Sequence, residues 1–222
     1  MRRLAEVLQS GALLLDAAMG TALIARGLRG RAPEWNLTHP DDVLAVHRSH
    51  VEAGAEVVLT NTFAGASAAE AVAALRLARD SGAEFVAGSL WAGLTDLERQ
   101  VSQLAAADAI WIESAISAQQ ALRALRVAKE ATSLPVVISC AAQDVPVDEL
   151  LRAGADAAGY NCSPWPAAAR GRLLKPDAAG LSPGRWARRV ADMGGLQGLR
   201  GGCCGTTAEH LRALQRLRAT AR

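Results

Sequence analysis

The chain has 222 residues, half of them hydrophobic, and a formal net charge of +2, enough apolar material for one large domain or two small ones. Its positive charge is almost all arginine spread along predicted helices, Lys129 and Lys175 being the two lysines, so no phosphate-binding stripe for nucleic acid emerges. No apolar run reaches the roughly eighteen residues of a membrane span. Glu6 and the early break at Ser10-Gly11 argue against a secretory signal, so the four cysteines read as metal or catalytic groups in a reducing cytoplasm before they read as disulfides.

In chain order, short apolar runs recur at Ala12 to Leu15, Val57 to Thr60, Phe85 to Ala87, Ile110 to Ile112, Pro135 to Ser139, Ala157 to Tyr160, Leu173 to Lys175 and Leu199 to Gly202. Helical patterns fill most of the gaps: Pro40 to Ala53, Ala68 to Ser81, Leu94 to Ala106, Ala118 to Thr132 and the shorter Pro146 to Arg152. Pro40-Asp41-Asp42 opens a helix with acids where its dipole favours them, and Thr95 with Glu98 reads as a capping box. Alternating strand and helix implies parallel strands joined by crossovers. Eight such units predict an α/β fold, a compact (β/α)8 TIM barrel with some helices shortened or missing; an open doubly wound sheet is the alternative. No linker divides the chain, so residues 1–222 read as a single domain. Between the sixth and seventh strands lies only SPWPAAARG, room for a single helical turn. Trp165 could plug that flank, and a second subunit covering it would make a homo-oligomer.

The stretch Gly201-Gly202-Cys203-Cys204-Gly205-Thr206-Thr207, with Gly159-Tyr160-Asn161-Cys162 before it, holds three of the four cysteines. Adjacent cysteines are poorly placed to bond each other, because their Cα atoms stand about 3.8 Å apart where a disulfide wants roughly 4.4 to 6.8 Å. A metal is the better partner. Cys162, Cys203 and Cys204 would supply three faces of a tetrahedron and leave the fourth open, as in a catalytic zinc site. Cys140, in PVVISCAA, reads instead as a strand end packed in the core. The working face of a barrel lies at the carboxyl ends of its strands. Those ends carry Asp16, Gly20-Thr21, Asn61-Thr62-Phe63, Gly88-Ser89, Glu113, Cys140, Asn161-Cys162, Asp177 and Cys203-Cys204.

Asp16-Ala17-Ala18-Met19-Gly20-Thr21, Trp35-Asn36, Thr60-Asn61-Thr62-Phe63, Gly159-Tyr160-Asn161-Cys162 and Gly202-Cys203-Cys204-Gly205-Thr206-Thr207 with His210 together resemble the homocysteine S-methyltransferase family, from about Leu13 to Leu214. The resemblance implies a (β/α)8 barrel that holds Zn2+ on Cys162, Cys203 and Cys204, activates the thiol of homocysteine and forms methionine. It places Asp16 and Glu113 at the substrate's ammonium, Gly202 and its neighbours at the substrate's carboxylate through their amides, and Asn61 in the pocket.

Ala17, Ser114 and the Lys175-Pro176-Asp177-Ala178-Ala179-Gly180 segment depart from the family pattern. Asp177 so near a zinc site reads as an extra ligand, a like-charge burden or a loop residue. After Gly88-Ser89-Leu90 the long segment that helps build the family's donor side is missing. A small sulfonium donor, S-methylmethionine or S-adenosylmethionine, is therefore favoured, with betaine after them. The alternatives are another thiol or selenol acceptor, or a zinc- or thiol-binding barrel serving as a regulatory subunit. His39, His47, His50 and His210 read as solvent-facing or capping residues. Trp35 and Trp91 are packing groups that could reach the mouth and touch a sulfonium.

Overall fold

The computed structural model describes residues 4–162 and 172–220. The chain runs α1 (Leu4–Ser10), β1 (Leu13–Leu14), α2 (Met19–Ala25), α3 (Trp35–Thr38), α4 (Pro40–Glu52), β2 (Val57–Leu59), α5 (Ala68–Asp80), β3 (Phe85–Trp91), α6 (Leu97–Gln103), β4 (Ala109–Ala115) and α7 (Ala118–Ala131). It continues with β5 (Val136–Cys140), α8 (Val147–Arg152), β6 (Ala157–Asn161), β7 (Leu173–Lys175), α9 (Pro183–Gly194), β8 (Leu199–Arg200) and α10 (Ala208–Thr220). Eight parallel strands pair in the order β1-β8-β7-β6-β5-β4-β3-β2. A single bridge between Leu15 and Val57, with Asp16 N–H donating to the Val57 carbonyl at 3.0 Å, joins the two ends of this sheet into a barrel. The strand runs and, apart from α6, the helix windows therefore fall where the hydrophobic periods put them. Among the described residues no helix is long and apolar enough to cross a membrane.

Side chains alternate between two cores, as the two-residue period of a strand requires. Leu13, Leu15, Val57, Leu59, Phe85, Ala87, Ala109, Trp111, Val137, Ala157, Leu173 and Leu199 fill the barrel interior. Leu4, Val7 and Leu8 of α1 join the same cluster, which makes α1 a plug on the barrel floor. The intervening residues, among them Leu14, Val58, Val86, Ile110, Ile112, Ile138 and Leu174, pack outward against the helices.

Local chemistry differs from expectation at two places. Thr95 does not cap a helix: α6 starts at Leu97 behind Asp96, and no side chain caps its first amides. The Asp96 carboxylate is instead held by Gln100 Nε2 at 3.0 Å and by Arg99, while Gln100 also clamps both backbone groups of Ala66. These cross-links start the helix later than the window Leu94 to Ala106 implied. The reciprocal capping box is found at Ser67 and Glu70, at the start of α5. The segment SPWPAAARG, with Trp165 and the flank a second subunit might cover, lies outside the described residues.

His47 and His50 are neither solvent-facing nor capping. They lie one turn apart on the inner face of α4, at 0% and 2% exposure, and both ring nitrogens of His47 lack a hydrogen-bond partner among the described residues. Burial holds His47 down to about 4, against a small opposing pull from Asp16. Burial, helped by the charges of Lys175 and Arg26, holds His50 down to about 3. Both rings are therefore neutral at pH 7. A histidine depressed in the fold adds stability above its unfolded value of about 6.5, and that stability is lost as the pH falls toward the folded value. Replacing His47 with leucine is expected to leave unfolding free energy at pH 7.5 within about 1 kcal/mol of the parent, since the ring's hydrogen bonds are unmade. It should remove on the order of 2 kcal/mol of the loss between pH 7.5 and 5. Urea melts at the two pH values measure this; a parent and variant with the same acid slope would refute it.

Candidate metal and substrate site

Beyond the apolar interior, the next inward positions at the carboxyl ends are polar. Ser89 follows Ala87 by two residues, Glu113 follows Trp111 and Lys175 follows Leu173, so the strand period turns them all into the same layer. With Asp16, Asn61, Asn161 and the three cysteines they line a cavity of about 420 Å³. Met19, Ile24, Pro33 and Phe63 add an apolar wall. Ile24 and Phe63 remain 61% and 41% exposed, which sets them at its mouth.

Cys162, at the end of β6, and Cys203-Cys204, past the end of β8, form a group of metal-ligating side chains among the described residues, with their sulfurs all within 4.8 Å of one another. Cys162 and Cys204 sulfurs stand 3.1 Å apart. Two backbone features aim them. Cys162 adopts a left-handed conformation, φ 49°, a costly one for a side chain, and its N–H donates to the Lys175 carbonyl at 3.2 Å. Gly201 and Gly202 let the chain after β8 press close: a Cβ on Gly201 would meet the Leu15 Cβ at 2.6 Å, and one on Gly202 the Thr206 Oγ1 at 2.2 Å. Thr206 Oγ1 in turn donates to the Cys203 carbonyl at 2.6 Å and closes the turn that exposes Cys204.

Three thiols this close cannot all ionise without a cation. Hydrogen bonds from Cys162 and then Cys203 hold the Cys204 thiol well below the ordinary range, and its neighbours are pushed up in return. The donor set suits zinc. Bonds of about 2.3 Å in a tetrahedron put sulfurs about 3.8 Å apart, within the spread found here, and the exposed side of Cys204 leaves room for a further ligand. Cys140 is buried at the end of β5 and stands outside the group. Asp177 is also outside it. Burial, and then the charge of Cys203, raises its carboxyl, and its carbonyl accepts from Trp186 Nε1 at 2.9 Å.

Asp16 lines the cavity, but both of its oxygens are occupied. Oδ1 accepts from Lys175 Nζ at 2.7 Å and Oδ2 from the Leu59 amide at 2.8 Å. Glu113 stands at an irregularity of β4, where the register with β5 shifts between Ile112 and Ala115 and Ser114 takes φ 60°. Its Oε1 accepts from Ser89 Oγ at 2.6 Å, whereas Oε2 has no protein partner among the described residues. Burial raises its carboxyl to about 7, despite the opposing charge of Lys175. Asn61 is held by its own amide, which donates to the Ala32 carbonyl at 2.7 Å and Asn36 Oδ1 at 3.1 Å. It thereby ties the segment before α3 to the end of β2. The Gly202 N–H donates to the Asp16 carbonyl at 3.0 Å, so this glycine serves close packing, and its amide is engaged before any ligand arrives.

Two site residues are named in the sequence without a role in the site. Asn161 Nδ2 donates to Ser114 Oγ at 2.9 Å and reaches Cys203 Sγ at 3.9 Å, while its Oδ1 accepts from the Ser114 amide. It fixes the bulged end of β4 against the cysteines. Lys175 is 3% exposed and is the one cationic side chain among the described residues lining the cavity. Its inward direction was readable from its spacing to Leu173. Trp35 and Trp91 do not line the cavity: Trp35 packs with Leu23, Leu28 and Val43 and stacks on His39, ring centres 4.2 Å apart. His210 caps α10, its Nδ1 taking the Thr207 amide at 3.2 Å, and Nε2 lies 3.3 Å from the Leu181 carbonyl.

Known proteins share this fold. The homocysteine methyltransferase MmuM from Escherichia coli, in its apo form, has the same fold, with a TM-score of 0.72 over 97% of this chain and 98% of that one at 22% identity. Its metallated form matches with a TM-score of 0.72 and 19% identity, covering 96% and 99% of the two chains. A methionine synthase from Mycobacterium tuberculosis is 43% identical over 68 aligned residues, 27% of this chain and 6% of that protein; the match thus spans a small part of the larger enzyme. The sequence model of the homocysteine S-methyltransferase family matches residues 13–93 and 94–217, nearly the whole barrel, and the chain belongs to that family.

Proposed function

We propose that the chain acts as a single homocysteine-binding barrel that transfers a methyl group from a small sulfonium donor, S-methylmethionine or S-adenosylmethionine, to the sulfur of homocysteine, with zinc held by Cys162, Cys203 and Cys204. The observation that carries this reading is the trio of sulfurs within 4.8 Å of one another, opening onto a cavity that also holds a carboxylate and an ammonium. Zinc bound by these cysteines would keep the acceptor thiol deprotonated at neutral pH, where a free thiol is only a few per cent thiolate.

The remaining work falls to the chain's own groups. Glu113, oriented by Ser89, offers its unpartnered oxygen to the substrate's ammonium. Asn161 holds the Cys203 side of the site against β4. Ile24 and Phe63 line the mouth with apolar surface, which would limit water around a bound donor. Transfer then needs alignment: the acceptor sulfur forms a bond to the methyl carbon as the donor's sulfonium–carbon bond breaks, its electron pair staying on the donor sulfur, which leaves as a neutral thioether. The short link from β3 to β4, carrying only α6, supports a small donor rather than one presented by a large partner domain.

Two measurements test the reading. Purified zinc-loaded protein should form methionine from homocysteine with either sulfonium, and activity with betaine alone would exclude it. Cys204→Ala should lose the bound zinc and at least about 100-fold in turnover; a variant that kept both would refute the metal site. Glu113 gives a further expectation. A carboxyl raised to about 7 from 4.5 is destabilising when ionised: its contribution is full below pH 4.5 and is lost as the pH rises through 7. Glu113→Gln should therefore stabilise the free protein by on the order of 3 kcal/mol at pH 8 and by little at pH 4.5, while weakening homocysteine binding roughly 10- to 100-fold. Denaturant melts at both pH values and calorimetric titration read the two effects; a variant that gained no stability at pH 8, or that bound homocysteine unchanged, would remove Glu113 from this role.

A further inference from the structure

We propose that Lys175 anchors the carboxylate of the acceptor, so that the site selects a zwitterionic thiol by pairing its ammonium with Glu113 and its carboxylate with Lys175; this deepens the homocysteine reading above and rests on it.

The argument is one of unused valences. An ammonium has three N–H donors, and Lys175 Nζ makes one hydrogen bond among the described residues, to Asp16 Oδ1 at 2.7 Å. At 3% exposure the remaining donors have only the cavity to turn to. Each oxygen of Asp16 already accepts one hydrogen bond, from Lys175 or from the Leu59 amide, and its charge is balanced by the lysine. Glu113 keeps one oxygen unpartnered in the same cavity. The cavity thus presents the open oxygen of a carboxyl group and a cationic donor, the complement of an α-amino acid.

The turn that carries the cysteines offers little competition. The amides of Gly201, Gly202 and Cys203 donate to the carbonyls of Leu174, Asp16 and Pro176 at 3.1, 3.0 and 2.8 Å, and that of Thr206 to the Cys203 carbonyl at 3.0 Å. Gly205 donates to Thr21 Oγ1 at 3.2 Å. The turn that carries the cysteines is therefore largely committed to holding the barrel together, which leaves Lys175 and the uncapped first turn of α2 as donors to a carboxylate, and of these Lys175 alone carries a full charge. A buried ion pair is also a poor stabilising device, often replaceable by apolar groups without loss. A lysine carried there at that cost makes sense as a ligand contact.

The test is calorimetric titration of the full zinc-loaded chain with homocysteine, with the thiol amine left when its carboxylate is removed, and with the thiol acid left when its amino group is removed. The parent should bind homocysteine roughly 10- to 100-fold more tightly than the thiol amine, the span expected for one charge-assisted pair. In Asp16→Asn/Lys175→Met, which removes both charges together and leaves none stranded, that gap should close to within about threefold. Affinity for the thiol acid should fall by the same factor as affinity for homocysteine, while the thiol amine binds as before. A gap that persists in the double variant overturns the proposal and moves the carboxylate to backbone donors such as the first turn of α2. A parent that binds homocysteine and the thiol amine equally well overturns it without any variant. A parent that binds none of the thiols refutes the homocysteine reading itself, and the two failures are thereby told apart.

Discussion

A β-strand turns successive side chains to opposite faces, and eight parallel strands closed into a barrel leave each inward position nowhere to go but the shared interior. That constraint organises this protein. Leu13, Phe85, Ala109, Leu173 and Leu199 are forced into one dry core, and further along the same inward rows the side chains become Ser89, Glu113 and Lys175. The transition from apolar to polar happens within one two-residue step on β4 and on β7, from Trp111 to Glu113 and from Leu173 to Lys175. The hydrophobic floor and the chemical site are thus adjacent parts of the same rows. This explains how a compact chain holds charged groups at a few per cent exposure without losing its core.

Charge inside such a site has to be balanced locally, because low polarity penalises every unpaired ion. The structure meets this in three ways. Lys175 and Asp16 neutralise each other. Glu113 is half-satisfied by Ser89 and carries a raised pKa as the consequence. The three thiols share protons, with Cys204 favoured as thiolate at the expense of its neighbours. Two of these three solutions are incomplete, and each lacks what a ligand would bring: a cation for the cysteines and an ammonium for Glu113. Strain is concentrated at the same place, since Ser114 and Cys162 both hold left-handed backbone beside the cavity. Asn161, which bridges Ser114 to Cys203, ties the strained positions together.

Much of this was legible without coordinates. Periodicity located the strands and the main helices because hydrophobic spacing is a local property of the chain, and the cysteine motifs named the three thiols that the fold brings within 4.8 Å of one another. The local readings that failed did so where tertiary contacts overrode a short motif. Thr95 and Glu98 have the right spacing for a cap, yet Gln100 and Arg99 draw Asp96 into a different arrangement. His47 and His50 have the polarity of surface residues, yet α4 presents them to the interior.

What the sequence by itself determined is therefore the class of fold, the family and the three cysteines that the fold brings together, all carried by residue type and spacing. Only the tertiary structure decided which polar groups in the cavity are still available. Asp16, Asn61 and Gly202 look like ligand contacts on the page, and in the fold each also holds structural hydrogen bonds, to residues such as Lys175, Ala32 and Asn36 or to the backbone of a neighbouring strand. Lys175, one of two lysines in the chain, had no role assigned from motif or composition. Its partner lies 159 positions away, and a hydrogen bond between residues so distant exists only once the barrel has closed and brought β7 beside the loop that follows β1.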